Sequence, residues 1–163
     1  MVIVWNIYRK VPELDHFGHD ALAYWSVDPV APYGQTVGEL NAFLYAPPMA
    51  GLLGLANQLP WPLFQGLLLV LQLAAVAWMA REWTLVVLAL PPVFNELFFG
   101  NVNLFIALAI ALGFTWSGTW AFVLLTKVTP GVGLLWFAVR REWRAVATAL
   151  GVTAAIAAVS FVL

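Results

Sequence analysis

The chain has 163 residues, of which 63% are hydrophobic and 9% charged, with a mean hydropathy of +0.90 and a formal net charge of −1. That composition lies outside the soluble range and carries no basic field, so nucleic acid is excluded as a partner. There is no cysteine, which excludes disulfides and thiolate metal sites.

Residues 1–40 carry seven of the fifteen charged side chains (Arg9, Lys10, Glu13, Asp15, Asp20, Asp28 and Glu39), together with both histidines. This is a polar loop region rather than a span. Residues 1–5 are apolar but too short for the apolar core of a signal peptide, and Arg9 and Lys10 follow them instead of preceding them. The run 43–55 is apolar, yet it contains Pro47 and Pro48 and gives way to Asn57, Gln58 and Pro60. A run of that length suits an interfacial or re-entrant helix better than a crossing. Residues 1–61 are therefore expected to form an extracytoplasmic loop region with such a helix.

From residue 62 the sequence predicts an all-α membrane bundle. Residues 62–80, 97–126 and 145–163 contain no Asp, Glu, Lys or Arg. Nineteen residues at about 1.5 Å each reach roughly 28 Å, close to the hydrocarbon thickness of a bilayer. Pro62 suits a first helical turn. Arg81 and Glu82 make a very short connection to a second helix, disturbed at Pro91-Pro92 and followed by Asn95, Glu96, Gly100, Asn101 and Asn103. Polar backbone at this depth is tolerated only where protein covers it or water reaches it. Another helix starts near Val102.

Residues 117–139 read either as one span containing Lys127 and Pro130 or as two short helices that turn back near 126–131. The hairpin keeps Arg81, Arg140, Arg141 and Arg144 on one side, as the positive-inside rule prefers, and is the expectation adopted. Residues 145–163 then form the last of about four to five spans. Trp61, Trp78, Trp83 and Trp143 lie near the ends of apolar runs, where indoles suit the headgroup region. On this topology the N-terminal loop, the Asn95–Asn103 cluster and Lys127 converge on the outer face.

Several of these polar residues have chemistry to offer. In a helix, Asp20 and Tyr24 share a face at i, i+4. A partly shielded carboxylate beside aromatic rings suits a general base, although a loop acid or helix cap has the same spacing. Lys127 and Glu96 are charges stranded in apolar sequence. Lys127 could neutralise a phosphate, with Thr126 and Thr129 as neutral donors, or else snorkel or pair with Glu96. Asn101 and Asn103 could bind sugar hydroxyls or join helices. Pro47 and Pro48 stiffen the segment that carries Tyr45. His16 and His19 lack a companion ligand set, so a metal site is weakly founded.

The order Asp20…Tyr24-Trp25, Pro32-Tyr33, Tyr45-x-Pro47-Pro48, Asn95-Glu96, Gly100-Asn101-x-Asn103, Lys127-x-x-Pro130 and Arg140-Arg141-x-Trp143-Arg144 resembles glycosyltransferase family 87. These are polyprenol-phosphate-mannose-type mannosyltransferases with the GT-C membrane fold. The resemblance runs from about residue 18 to about residue 147. It implies transfer of a hexosyl, chiefly mannosyl, group from a polyprenyl-phosphate-linked sugar donor to a lipid or glycan acceptor, outside a prokaryotic cytoplasmic membrane.

Asp20 matches the base position. Tyr24, Tyr45, Asn101, Asn103 and Lys127 match positions lining the donor and acceptor cavity, and His19 and Glu96 are counted with them. The resemblance requires neither metal nor cofactor. Family members usually carry a full helix before the acidic loop and run to about twice this length, so the chain resembles an N-terminal catalytic half. Two other classes compete with it, a transporter or flippase half and a non-catalytic membrane subunit.

Overall fold

The computed structural model describes residues 17–36 and 42–162, so the readings of residues 1–10 and His16 lie outside the described residues. Among the described residues the chain is helical and has no strand. Helix α1 spans His19–Trp25 and α2 spans Pro47–Gly54, with prolines in the first turn of α2 after an extended Ala46. Helix α3, Trp61–Ala80, has Pro62 in its first turn. Arg81 at φ 51° and a tight turn over Arg81–Trp83 separate it from the short α4, Thr84–Leu88. The pair Pro91-Pro92 then opens α5, Pro91–Phe99, where missing N–H groups cost nothing.

Gly100, in the left-handed conformation, ends α5. Helix α6, Asn103–Gly113, leaves the corner at 113° to α5. After a turn at Ser117–Thr119 come α7, Trp120–Thr126, an extended Lys127, a turn over Thr129–Gly133, and α8, Leu134–Val139. The chain doubles back there: Gly131 lies against Leu124, and the Phe137 ring sits 6.0 Å from Trp120. Helix α9 spans Trp143–Val162.

Among the described residues two helical runs, Trp61–Leu88 and Trp143–Ser160, are long and apolar enough to cross a membrane, and the bent α5–α6 pair makes a third if it is one span. The sequence led us to expect about four to five spans. Ser117–Thr126 and Thr129–Val139 are apolar, but at about 1.5 Å per residue each falls well short of a bilayer's hydrocarbon width. Trp78, Trp83 and Trp143 are exposed, whereas Trp61 packs edge-on against Trp25.

The principal core brings α1 into the bundle. Ala21 and Tyr24 are buried with Phe64, Val102, Ile106 and Trp120. Glycine explains how α1 comes so close to the α5–α6 corner. The Gly18 N–H donates to Phe98 O at 2.8 Å, and a Cβ on Gly100 would stand 2.7 Å from that of Ala21. At φ 68° Gly100 also sits where an L side chain is strained.

Candidate active site

The α5–α6 corner starts from backbone. The Asn101 N–H donates to Glu96 O at 2.9 Å, closing the turn behind Gly100. From α3, Gln72, which is fully buried, reaches across and donates from Nε2 to Asn101 O at 2.7 Å and to Glu96 O at 3.3 Å. Glu96 O already accepts backbone N–H groups, but Asn101 O, a carbonyl freed where the helix breaks in an apolar setting, needs such a donor, and Gln72 supplies it.

On this corner the side chains form one continuous polar chain. Asn101 Oδ1 accepts from the Asn103 N–H at 3.2 Å, which turns its Nδ2 toward Asp20 Oδ2 at 2.6 Å. Asn103 Nδ2 donates to Glu96 Oε1 at 3.0 Å, and Asn103 Oδ1 accepts from Lys127 Nζ at 2.7 Å. A carboxylate only accepts and an ammonium only donates, so the orientation of each amide follows from its neighbours. Lys127 uses one of its three N–H groups on Asn103.

Two phenols adjoin this chain. The Tyr24 and Tyr45 hydroxyls lie 2.9 Å apart, and Tyr24 Oη also accepts the Val102 N–H at 3.3 Å. Burial is the main cause that pushes the Tyr24 hydroxyl far above the usual tyrosine range, with the neighbouring Tyr45 adding to it. Burial also raises Tyr45, so both phenols are neutral at physiological pH. Tyr33 Oη donates to Tyr45 O at 2.8 Å, and the Ala46 N–H donates to Leu125 O at 3.1 Å. The Tyr45 segment is thereby tied to the end of α7, next to Lys127.

Two cavities meet at these phenols. The first, about 210 Å³, is lined by Asp20, Ala23, Tyr24, Tyr45, Asn101 and Lys127 among others. The second, about 370 Å³, is walled by apolar side chains such as Met49, Leu53, Phe64, Leu68, Phe105 and Leu108. Tyr24, Tyr45 and Thr126 belong to both walls.

The model for glycosyltransferase family 87 matches residues 43–163 of the chain. The chain belongs to glycosyltransferase family 87. No curated protein and no solved structure matches it. Membership makes it a membrane glycosyltransferase, and its long apolar helices fit a multi-pass membrane protein. The resemblance seen in the spaced motifs is thus met.

Within this family-87 chain, Tyr45, Glu96, Asn101, Asn103 and Lys127 lie in the matched stretch. His19, Asp20 and Tyr24 precede it, and the latter two reach the site because α1 docks on the corner. Asp20, Tyr24, Tyr45, Asn101 and Lys127 line the polar cavity. Asn103 and Glu96 stand behind that wall, holding Lys127 and each other. His19 opens α1 and lines neither of these cavities.

Two expectations need correction. Glu96 and Lys127 do not pair directly, because the amide of Asn103 stands between them. Thr126 is no donor to a ligand, since its hydroxyl donates to Phe122 O at 2.6 Å and reaches Val123 O at 3.2 Å. The sequence reading passed over Gln72. Its signal was the same as that of Lys127, a polar side chain stranded in an uncharged run.

Proposed function

We propose that this family-87 enzyme transfers a hexosyl group, mannosyl in the first instance, from a polyprenyl-phosphate-sugar donor to a lipid or glycan acceptor at the extracytoplasmic membrane face. The observation that carries it is a polar cavity bearing both Asp20 and Lys127 that shares its wall with an apolar one. A lipid-linked sugar has the same two halves. Its sugar and phosphate suit the first cavity, and the proximal part of its hydrocarbon chain suits the second.

In this reading Asp20 is the general base. Asn101 engages Oδ2, and among the described residues Oδ1 has no protein partner, so it is placed to take a proton from the acceptor hydroxyl. The acceptor oxygen attacks the anomeric carbon while the bond from that carbon to the phosphate oxygen breaks. Attack from the opposite face inverts the centre, and the lipid phosphate leaves with the bonding electrons. Lys127, held by Asn103, offers its remaining N–H groups to the phosphate as negative charge builds.

The test is transfer of labelled sugar from polyprenyl-phosphate-mannose to endogenous acceptors in membranes containing the chain, with Asp20→Asn in parallel. The expected outcome is a loss of about a hundredfold or more in Asp20→Asn at equal protein level. Undiminished transfer by that variant would remove Asp20 from the base role.

A further inference from the structure

The two phenols on the shared wall have two protons, and the hydrogen bonds decide where each goes. Tyr24 is only 4% exposed, and its oxygen already accepts the Val102 N–H. If Tyr45 donated to Tyr24, the leftover proton would sit on the more deeply buried of the two phenols with no acceptor among the described residues, a cost comparable to that of a lost hydrogen bond. The order that avoids this has Tyr24 donating to Tyr45 across 2.9 Å. The Tyr45 proton is then the one left over. Among the described residues it has no acceptor, and Tyr45 lines both cavities. Thr126, the remaining polar side chain common to both walls, donates to the backbone of its own helix.

A neutral O–H donor with no acceptor among the described residues therefore stands where the polar cavity passes into the apolar one, in a wall that also holds Lys127. In a molecule with a charged head and a hydrocarbon tail, the phosphate lies at that junction. We propose that the Tyr45 hydroxyl, together with Lys127, binds a phosphoryl oxygen there and selects a lipid phosphate over both a neutral lipid and free phosphate. This rests on the lipid-phosphate donor proposed above. It adds a division of labour, in which Lys127 supplies charge and Tyr45 fixes the phosphate at the mouth of the apolar cavity. Burial keeps the phenol protonated, so the donor persists through the physiological pH range.

The probes are farnesyl phosphate, farnesol and inorganic phosphate, titrated against the whole purified chain in detergent micelles. Wild type is expected to bind farnesyl phosphate at least about tenfold more tightly than farnesol, with no competition from equimolar inorganic phosphate. Tyr45→Phe is expected to weaken farnesyl phosphate roughly tenfold and leave farnesol unchanged, as befits a lost hydrogen bond to a charged group. Should Tyr45→Phe alone fail to fold because the Tyr24 proton is stranded, the double variant Tyr24→Phe/Tyr45→Phe removes that proton and is expected to show the same loss.

Farnesyl phosphate binding that matches wild type in the tyrosine variant overturns the inference. If Lys127→Met abolishes the discrimination while Tyr45→Phe keeps it, the Tyr45 role falls and the lipid-phosphate reading stands. If wild type does not distinguish farnesyl phosphate from farnesol, both fall together. Equal competition by inorganic phosphate would mean that the site reads a free anion, and would overturn the junction.

Discussion

The two cavities share Tyr24, Tyr45 and Thr126, yet they are built on opposite terms. The apolar one is walled by side chains of α2, α3, α6 and α7 that any well-packed bundle of greasy helices would present. The polar one depends on a single corner held by particular atoms: Gly100 in the left-handed region, Gln72 on the Asn101 carbonyl, and Asn101 between Asp20 and the turn. Dispersion contacts are many, weak and forgiving of exchange, whereas a buried donor has one acceptor or none. The polar cavity should therefore be brittle and the apolar one tolerant.

The largest expected effect is that of Gly100→Ala. The new Cβ meets Ala21 at 2.7 Å and forces an L residue to φ 68°. Left-handed strain of about 1–2 kcal/mol and a steric term of similar size predict a loss of about 3 kcal/mol, read as a lowered midpoint of thermal unfolding in detergent. Next comes Gln72→Leu, which keeps the volume but leaves Asn101 O without its side-chain donor and takes a second one from Glu96 O, which keeps the Asn101 N–H. Interhelical hydrogen bonds in membrane proteins are worth about 0.6–1.7 kcal/mol, and a destabilisation of that size should accompany a fall in transfer rate larger than stability alone explains.

Filling the apolar cavity should do less. Ala109→Leu adds volume to a space of about 370 Å³, so unfolding should shift by less than about 1.5 kcal/mol while affinity for a lipid-linked donor falls. A loss of stability as large as that of Gly100→Ala would erase the contrast between the cavities.

A further effect appears only at alkaline pH. The folded state raises the Tyr24 and Tyr45 pKa values, so it holds these protons more tightly than the unfolded chain does. Their contribution to stability is fully present below the ordinary tyrosine value of about 10 and is lost as pH rises above it. An alkaline unfolding profile should show that decline in wild type, reduced in Tyr24→Phe/Tyr45→Phe.

Much of the site was legible because stranded polarity is conspicuous in hydrocarbon. Lys127, Asn101, Asn103 and Glu96 all stood out in uncharged surroundings, and the structure joins them in one hydrogen-bonded chain. From spacing alone Asp20 was legible as an acid one helical turn from Tyr24, and its match to a base position came from the family resemblance. Nothing in its neighbourhood points to Asn101, 81 residues away. The division between wall and support was also hidden. Asn103 and Asn101 are alike in sequence, but one faces the polar cavity and the other holds Lys127 from behind.

The sequence by itself determined that the protein is helical, that it belongs in a membrane, and which polar side chains must be accounted for. Those properties are local and additive, since each apolar residue adds its own transfer free energy wherever its neighbours lie. Only the tertiary structure decided how many helices are long enough to cross, that α1 packs on the α5–α6 corner, and that Gln72 anchors the turn. A hydrogen bond requires its partners within about 3 Å and correctly aimed, and that geometry is set by the 113° bend and the Gly100 turn rather than by composition.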